Sequence, residues 1–482
     1  MATTSAEFEK ATDYRFKEED IARAQALVGR WAPSGSREHL TVATHDAMRN
    51  FARGYGDDNP LFTSEVYGTT TRWGAQIAPP MIPIALNRPF YGDRAEQPLK
   101  RPSFRGIHVF VSGSTWNWYR PVQEGDQLFS FGGTESVVEK PSEFAERSLL
   151  VTYASIKINQ RAEIVAISHT LAIHTERKTA REKGKYAAIE PATYTDDDLA
   201  RLDAVYAAEE TRGAEARWWE DVTVGDTLTP MAKGPLTMTD MIVFHAGGYG
   251  FVPYAPTANR IAYRNRLRIA PFYVKNEYGI PDVAQRVHWD SAWAQAIGNP
   301  MAYDYGVMRD CWLSHFMTEW MGDDGWLVSQ SSEIRKFNYM GDSHILTGEV
   351  VAKRTEQDRC LVDIEMRGTN QRGDVTCPGR ATIALPSRGH GPVVLPEPPA
   401  ELEEQARVMM ARHLELVGER RRSRSSSAAL RLSLTRARRA AGVRVSRRAT
   451  SSVWARSSEA GTTACTIPSS SARAAGILSL SR

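Results

Sequence analysis

Cysteine is scarce in this chain, and its positions form no pattern. The four cysteines make no Cys-x-x-Cys pair and have no histidine at zinc-module spacing, which argues against a zinc module or a disulfide framework. A run of 18 uninterrupted apolar residues is also missing, so we expect no membrane-spanning helix. The first twenty residues are polar and acidic, unlike a secretory signal. These features predict a reduced, cytoplasmic protein.

The net charge of +3 is the sum of two unlike regions. From Glu419 onward the chain has 14 arginines, two glutamates, and no Lys, Asp, Asn, Gln, His, Met, Phe or Tyr. So few large apolar groups cannot offset the entropy of ordering, which predicts a mostly disordered basic tail over residues 393–482. A nucleic-acid or membrane tail, or readthrough in a wrong frame, are the open alternatives. The rest is mildly acidic, so no nucleic-acid partner is expected.

An internal repeat organises the chain before Pro396. An aromatic strand reaches a Gly-Asp turn at Gly125-Asp126 and again at Gly341-Asp342, and an alternating strand follows each turn. Further along, Asn159-Gln160-Arg161 parallels Asn370-Gln371-Arg372 in the same order. Strands that alternate apolar and polar residues are typical of half-buried antiparallel sheets. The pattern predicts an α+β protein made of two similar copies.

A charged, helix-prone stretch separates the copies. Thr195 precedes three aspartates, which is typical of a helix N-terminus. We therefore predict a first domain at 15–185, a linker helix at 186–217 and a second domain at 218–392. The second domain carries an insertion at about 251–286.

The first copy contains the motif Gly56-Asp57-Asp58-Asn59-Pro60-Leu61-Phe62. It resembles the signature of MaoC-like, R-specific enoyl-CoA hydratases, Gly-Asp-x-Asn-Pro followed by an aliphatic residue and a histidine. Phe62 stands at the histidine position. The resemblance implies a tandem double hot-dog fold, in which two antiparallel sheets each wrap around a central helix and join side by side.

The second copy has the complementary half of the motif. His288 is followed six residues on by Ala294 and 18 residues on by Gly306, as in the family, but no Gly-Asp-x-Asn-Pro precedes it. Asp282 lies six residues before His288, one residue out of register with the family's spacing of five. A turn-and-cap role for the first motif and a structural role for His288 are the simpler alternatives.

What the resemblance implies is reversible hydration of a 2-enoyl-CoA to a 3-hydroxyacyl-CoA. A carboxylate and an imidazole within reach of one water supply the acid and the base. The expected catalytic residues are His288, Asp282 and Asp57, with His288 indispensable and Asp57 minor; Asn59 orients the acid, and Gly306 binds the thioester oxygen. We expect no metal and no cofactor other than the coenzyme A of the substrate.

The insertion contains Arg264, Arg266 and Arg268 among apolar residues. A solvated helix face is one interpretation, and contact with the phosphates of coenzyme A is the other. Two alternative functions also remain open. One is a hot-dog thioesterase, and the other is a subunit that binds acyl-CoA and completes the site of a partner. The expected assembly is a homodimer or a hetero-oligomer with another hot-dog chain.

Overall fold

One ten-stranded antiparallel sheet runs through both copies of the repeat. The computed structural model describes residues 15–34, 39–93, 102, 104, 107–141, 147–176, 189–249 and 258–440. The strands are β1 (Ala32–Pro33), β2 (His108–Trp118), β3 (Phe129–Pro141), β4 (Arg147–Ile158), β5 (Ile164–Thr175), β6 (Met231–Lys233), β7 (Tyr273–Lys275), β8 (Pro281–Val283), β9 (Trp326–Glu333), β10 (His344–Glu356), β11 (Arg359–Asn370) and β12 (Val375–Leu385). β7 and β8 form a separate two-stranded sheet.

The strand order shows that the two copies are joined edge to edge. The order is β1-β3-β4-β5-β2-β9-β12-β11-β10-β6, so each half of the sheet mirrors the other. At the junction β2 pairs with β9, and Ser114 lies opposite Ser332. Both hydroxyls donate to the buried carboxylate of Asp310, at 2.8 and 2.5 Å. The expected tandem double hot-dog is confirmed.

The repeat seen in the sequence is a repeated hydrogen-bond network. In the first copy the side chain of Gln160 donates to Asp126 at 3.1 Å, and in the second Gln371 donates to Asp342 at 2.8 Å. In the first copy this bond links the β4–β5 hairpin to the Gly-Asp turn before β3, and in the second it links the β11–β12 hairpin to the Gly-Asp turn before β10. The matching motifs therefore form equivalent hydrogen bonds in the two copies.

The helices are α1 (Glu18–Gln25), α2 (His45–Arg53), α3 (Pro60–Thr63), α4 (Glu65–Thr69), α5 (Asp196–Ala208), α6 (Met238–Phe244), α7 (Asn259–Arg268), α8 (Ser291–Ala296), α9 (Gly306–Met321) and α10 (Ala400–Ala440). None of the helices in the described part of the chain is long and apolar enough to cross a membrane. α5 begins where the sequence predicts, because Thr195 and Asp198 form a capping box.

A long central helix is present in the second copy and absent from the described part of the first. α9 is 16 residues long and almost wholly buried against the sheet. The equivalent segment of the first copy, after Pro80, contains only a 3₁₀ turn at Ile82–Ile84. Prolines at 79, 80 and 83 remove backbone donors and clash with a preceding turn, so a helix cannot continue there. The sequence predicted a central helix in each copy, but the described part of the first copy has only this 3₁₀ turn at that place.

The start of the predicted tail is the helix α10, and because α10 continues to Ala440, the disorder expected from Glu419 onward is corrected as far as residue 440. Ala406 and Met410 of α10 are buried in an apolar cluster with Phe90, Phe129 and Phe131 of the first copy. Their spacing places them on one face of the helix. Residues 421–482 form a separate unit, and the predicted disorder of 441–482 lies outside the described residues.

We therefore expect truncation after Arg420 to leave the melting temperature unchanged within error. Truncation after Pro396 should lower it by several degrees, since it exposes the apolar cluster that Ala406 and Met410 cover. Thermal unfolding of the two truncated chains beside the full chain is the measurement. An equal melting temperature for both truncations would show that α10 contributes nothing to the folded first copy.

Candidate active site

Asp57 of the first-copy motif lies in a buried turn directly after α2. Asp57 is 1% exposed. Gly56 has φ +82°, a conformation that favours glycine, and it turns the chain so that Asp57 follows inward. The Tyr55 hydroxyl donates to Asp57 Oδ2 at 3.0 Å, and the Asn59 backbone N–H donates to Oδ1 at 3.1 Å. The carboxylate is thus held in one orientation by its own motif.

Asn59 orients Asp57 through its backbone N–H and not through its side chain. The Asn59 side chain accepts from the Leu61 N–H at 3.0 Å and caps α3, with Pro60 in the first turn. Asn59 is 1% exposed and is absent from the lining of the cavity described below. The prediction that Asn59 orients the acid or binds substrate is therefore corrected for its side chain, which caps α3 instead.

The imidazole beside Asp57 comes from the other copy of the repeat. His315, in the middle of α9, is 2% exposed, and its Nε2 lies 3.6 Å from Asp57 Oδ1. The same nitrogen lies 2.9 Å from Glu319 Oε1, one helical turn further on. The other ring nitrogen, Nδ1, lies 2.7 Å from Lys233 Nζ at the end of β6. The first-copy motif has Phe62 in place of its histidine, and the second copy supplies the imidazole that lies beside Asp57.

Sequence reasoning missed His315, Lys233 and Glu319. A signal was present, since His315 and Glu319 are four residues apart and share one face of a helix that is otherwise mostly apolar. Polar groups on a buried helix need partners, which marks such a pair as worth testing. Nothing in the local pattern around Lys233 indicates its role.

Burial shifts the pKa of every member of this cluster. It raises the pKa of Asp57, and the nearby His315, the Asn59 N–H, Lys233 and the Tyr55 hydroxyl act in the opposite direction. It lowers the pKa of His315 to about 4, with Asp57 opposing this shift. It lowers the pKa of Lys233 and raises that of Glu319. At neutral pH His315 is therefore a neutral imidazole beside a carboxyl group of increased basicity.

The cluster opens into a cavity of about 520 Å³ between the two copies. Most of its walls are polar or charged, with an apolar side formed by helices α6 and α9. It is lined by Arg53, Gly54, Tyr55, Gly56, Asp57, Asp58, Tyr206, Glu209, Thr211, Lys233, Gly234, Leu236, Asp240, Val243, Met308, Trp312, His315 and Glu319. An apolar cavity lined in part by Phe62 holds only about 30 Å³. The larger cavity is the candidate active site.

A metal ion has one candidate set of ligands in the described part of the chain. Ligand atoms of Asp58, His315 and Glu319 lie within 4.8 Å of one another. The Lys233 ammonium, however, already contacts the imidazole of this set and supplies positive charge there. The set fits an acid–base cluster better than a metal centre, and the absence of a metal remains a prediction.

The expected pairing of Asp282 with His288 is not formed. His288 Nδ1 lies 2.9 Å from the Tyr303 carbonyl oxygen, and its ring packs against Tyr305 at a centroid distance of 3.9 Å. Asp282 lies in β8, where its carboxylate accepts the Val283 N–H at 2.7 Å. Burial lowers the pKa of His288 to about 4, and no carboxylate is among the groups that influence this pKa. The sequence spacing failed because Asp282 belongs to the β7–β8 hairpin.

The other predicted residues also lie away from the lining of the large cavity. Gly306 begins α9 and faces Val111 and Ile334 at the sheet junction. Arg264 and Arg268 are exposed on α7, and Arg266 is half-buried with its guanidinium 5.6 Å from the Tyr263 ring. Of the predicted catalytic residues, only Asp57 lines the cavity.

Comparison with known proteins supports the first-copy motif. Residues 26–168 match the family described as FAS1-like, dehydratase domain region. The match covers the Gly56–Phe62 motif and shows that the first copy is similar to a dehydratase domain. A comparison of the chain with curated proteins finds no match.

Several solved structures are similar to this chain. A MaoC-like dehydratase is 16% identical, with 75% of this chain and 99% of that chain covered and a TM-score of 0.48. A MaoC-like dehydratase from Phytophthora capsici is 11% identical, with coverages of 76% and 99% and a TM-score of 0.40. A Mycobacterium tuberculosis protein described as a double hot-dog fold is 10% identical, with coverages of 74% and 96% and a TM-score of 0.41.

Proposed function

We propose, from the dehydratase-family match over residues 26–168, that the protein hydrates and dehydrates acyl thioesters, interconverting a 2-enoyl-CoA and a 3-hydroxyacyl-CoA. The observation that carries the proposal is the pair of Asp57 and His315. A buried carboxylate and a buried imidazole, 3.6 Å apart, line a cavity between the two copies. Groups at this separation can both contact one water or one substrate hydroxyl.

The resting geometry suits the dehydration direction. Asp57, whose pKa is raised by burial, takes the proton from the α-carbon of a 3-hydroxyacyl thioester. His315 Nε2–H donates its proton to the β-hydroxyl, which leaves as water. Hydration is the reverse, with the imidazole accepting a proton from water and the Asp57 carboxyl returning one to the α-carbon. The two proton transfers need no group beyond this cluster.

The cavity leaves the coenzyme A nucleotide outside. About 520 Å³ accommodates a thioester and a modest acyl group, and its walls include four acids besides Asp57, namely Asp58, Glu209, Asp240 and Glu319. Phosphates are repelled by such walls. The insertion arginines Arg264, Arg266 and Arg268 are the candidates for phosphate contact, and they remain a proposal.

Replacing Arg264, Arg266 and Arg268 together with Gln is expected to raise KM for the CoA substrate several-fold with kcat similar, as loss of uniform binding does. The effect should shrink at high salt, because screening already weakens phosphate contacts. A matched control removes three exposed arginines of β10–β12, Arg354→Gln, Arg367→Gln and Arg380→Gln. Equal KM values for the two triple variants at low salt would assign the insertion arginines to solvated surface.

The proposed reaction is tested with a panel of enoyl-CoA thioesters. Loss of the conjugated enoyl absorbance without release of free thiol is the expected result. Release of thiol would instead identify a thioesterase. Neither change, together with tight binding of an acyl-CoA, would identify a binding subunit and would contradict the proposal.

A further inference from the structure

The proposed reaction leaves one proton unaccounted for. When His315 gives its Nε2 proton to the leaving hydroxyl, the ring becomes an imidazolate unless Nδ1 gains a proton at the same time. A group that supplies this proton must contact Nδ1 directly. Lys233 Nζ, at 2.7 Å, is the side chain found there in the described part of the chain.

We propose that Lys233 is a positioning residue that fixes His315 as the neutral Nε2–H tautomer and refills Nδ1 when Nε2 donates. The proton transfer from Lys233 rests on the proposed function. The tautomer of His315 does not, because it is a property of the protein without substrate. The dehydration then balances, since one proton moves from Cα to Asp57, one from Nε2 to the hydroxyl and one from Nζ to Nδ1. The resting state returns when Asp57 gives its proton to Nε2 and Nδ1 gives its proton back to Lys233 Nζ.

The tautomer follows from the hydrogen-bonding capacity of an ammonium group. A lysine ammonium has three donors and no acceptor, so the ring nitrogen that it contacts accepts and carries no proton. Nε2 then holds the ring proton and donates toward Glu319 Oε1, 2.9 Å away, with Asp57 Oδ1 at 3.6 Å. The donor nitrogen therefore faces the proposed reaction centre, and the acceptor nitrogen faces Lys233.

Burial and the surrounding charges act on the pKa of Lys233 in opposite directions. Lys233 is 6% exposed, and burial lowers its pKa. Four carboxylates around it oppose this shift and stabilise the ammonium, namely Glu209, Asp57, Glu319 and Asp58. The carboxylates favour the ammonium form, while burial makes that ammonium a stronger acid than an exposed lysine.

Lys233 also opposes protonation of the imidazole. Burial lowers the pKa of His315, the carboxylates of Asp57 and Asp58 raise it, and Lys233 lowers it by like-charge repulsion. Removal of the ammonium should therefore let the nearby acids raise the pKa of His315. The same change abolishes the relay, because the Nζ donor to Nδ1 is gone.

The test measures the His315 ring by ¹⁵N NMR in the full chain, with the signal assigned by its loss in His315→Gln. In the unsubstituted protein we expect the neutral Nε2–H tautomer at pH 7. In Lys233→Met we expect the His315 pKa to rise by about one unit or more, and Lys233→Arg should largely restore the original value because it retains a cation. An unchanged tautomer and pKa in Lys233→Met would overturn the inference.

The kinetic arm uses the pH dependence of kcat. Lys233→Met should lower kcat about tenfold or more. It should also move the acidic limb of the profile to higher pH, because His315 then becomes protonated at a higher pH. The matched control is Lys353→Met, whose ammonium donates to the Trp219 carbonyl at 2.6 Å away from the cavity; it should leave the profile in place. A fall in kcat with an unmoved profile would reduce Lys233 to a packing role. If the unsubstituted chain has no hydratase activity, the proposed function fails while the NMR arm still decides the tautomer.

Discussion

Asp57→Asn is expected to lower kcat by about 10²-fold or more, the typical contribution of a positioned acid–base group. His315→Gln should have an effect of similar size, and the double variant should lose little more than either single variant, because the two groups act as a unit. Asparagine preserves the shape of the side chain and can still accept the Asn59 N–H, so the fold should survive. The measurements are kcat for enoyl-CoA hydration and a thermal unfolding scan of each variant.

His288→Ala is the control that separates the two possible sites. It should keep most of the activity, because His288 contacts the Tyr303 carbonyl oxygen, and no side-chain carboxylate is among the groups that influence its pKa. Loss of activity in His288→Ala with full activity in Asp57→Asn would move the chemistry to the second copy. That outcome would restore the site that the motif spacing predicts.

Arg309→Met is expected to destabilise the protein by about 3–5 kcal/mol, the usual cost of leaving one member of a buried ion pair without its partner. Arg309 donates from Nε and a terminal nitrogen to the two oxygens of Asp304, at 2.8 Å each, and also to the Lys336 carbonyl. Both residues of the pair are 2% exposed. The free energy of unfolding from denaturant titration is the measurement.

Two variants control this result. Adding Asp304→Asn to Arg309→Met should recover part of the loss, because the uncompensated charge is then gone. Arg380→Met, which breaks an exposed pair with Glu365, should cost no more than about 1 kcal/mol. If Arg309→Met costs no more than Arg380→Met, the buried pair does not hold the start of α9 in place.

The most successful sequence predictions concern interactions between near neighbours or within one repeat. The capping box of Thr195 and Asp198 spans three residues. The Gly-Asp and Asn-Gln-Arg motifs that reveal the repeat are joined in the structure by the Asp126–Gln160 and Asp342–Gln371 bonds, each within one copy. Short-range hydrogen bonds need particular residue types at particular spacings, so they leave a readable trace in the sequence.

The first-copy motif also indicated the acid that lines the cavity, Asp57, but not its partner. Asp57 was predicted to be minor because Phe62 replaces the family's histidine, and His288 was predicted to carry the chemistry. The structure places His315 beside Asp57 instead. Matching residues to a single-domain motif assumes that one copy provides the whole site, and a duplicated chain does not have to obey that assumption.

The sequence by itself determined the duplication, the antiparallel strands and the start of the helix after Thr195, and it singled out Asp57 as a candidate acid. The tertiary structure decided which residues meet that acid. His315 and Lys233 lie far from Asp57 in sequence and on different elements, and they come together because β2 and β9 join the two half-sheets. The packing of Ala406 and Met410 was decided in the same way, since an apolar face is recognisable only once the surface that it covers exists. Contacts between distant segments depend on how the whole chain packs, and no local pattern encodes that packing.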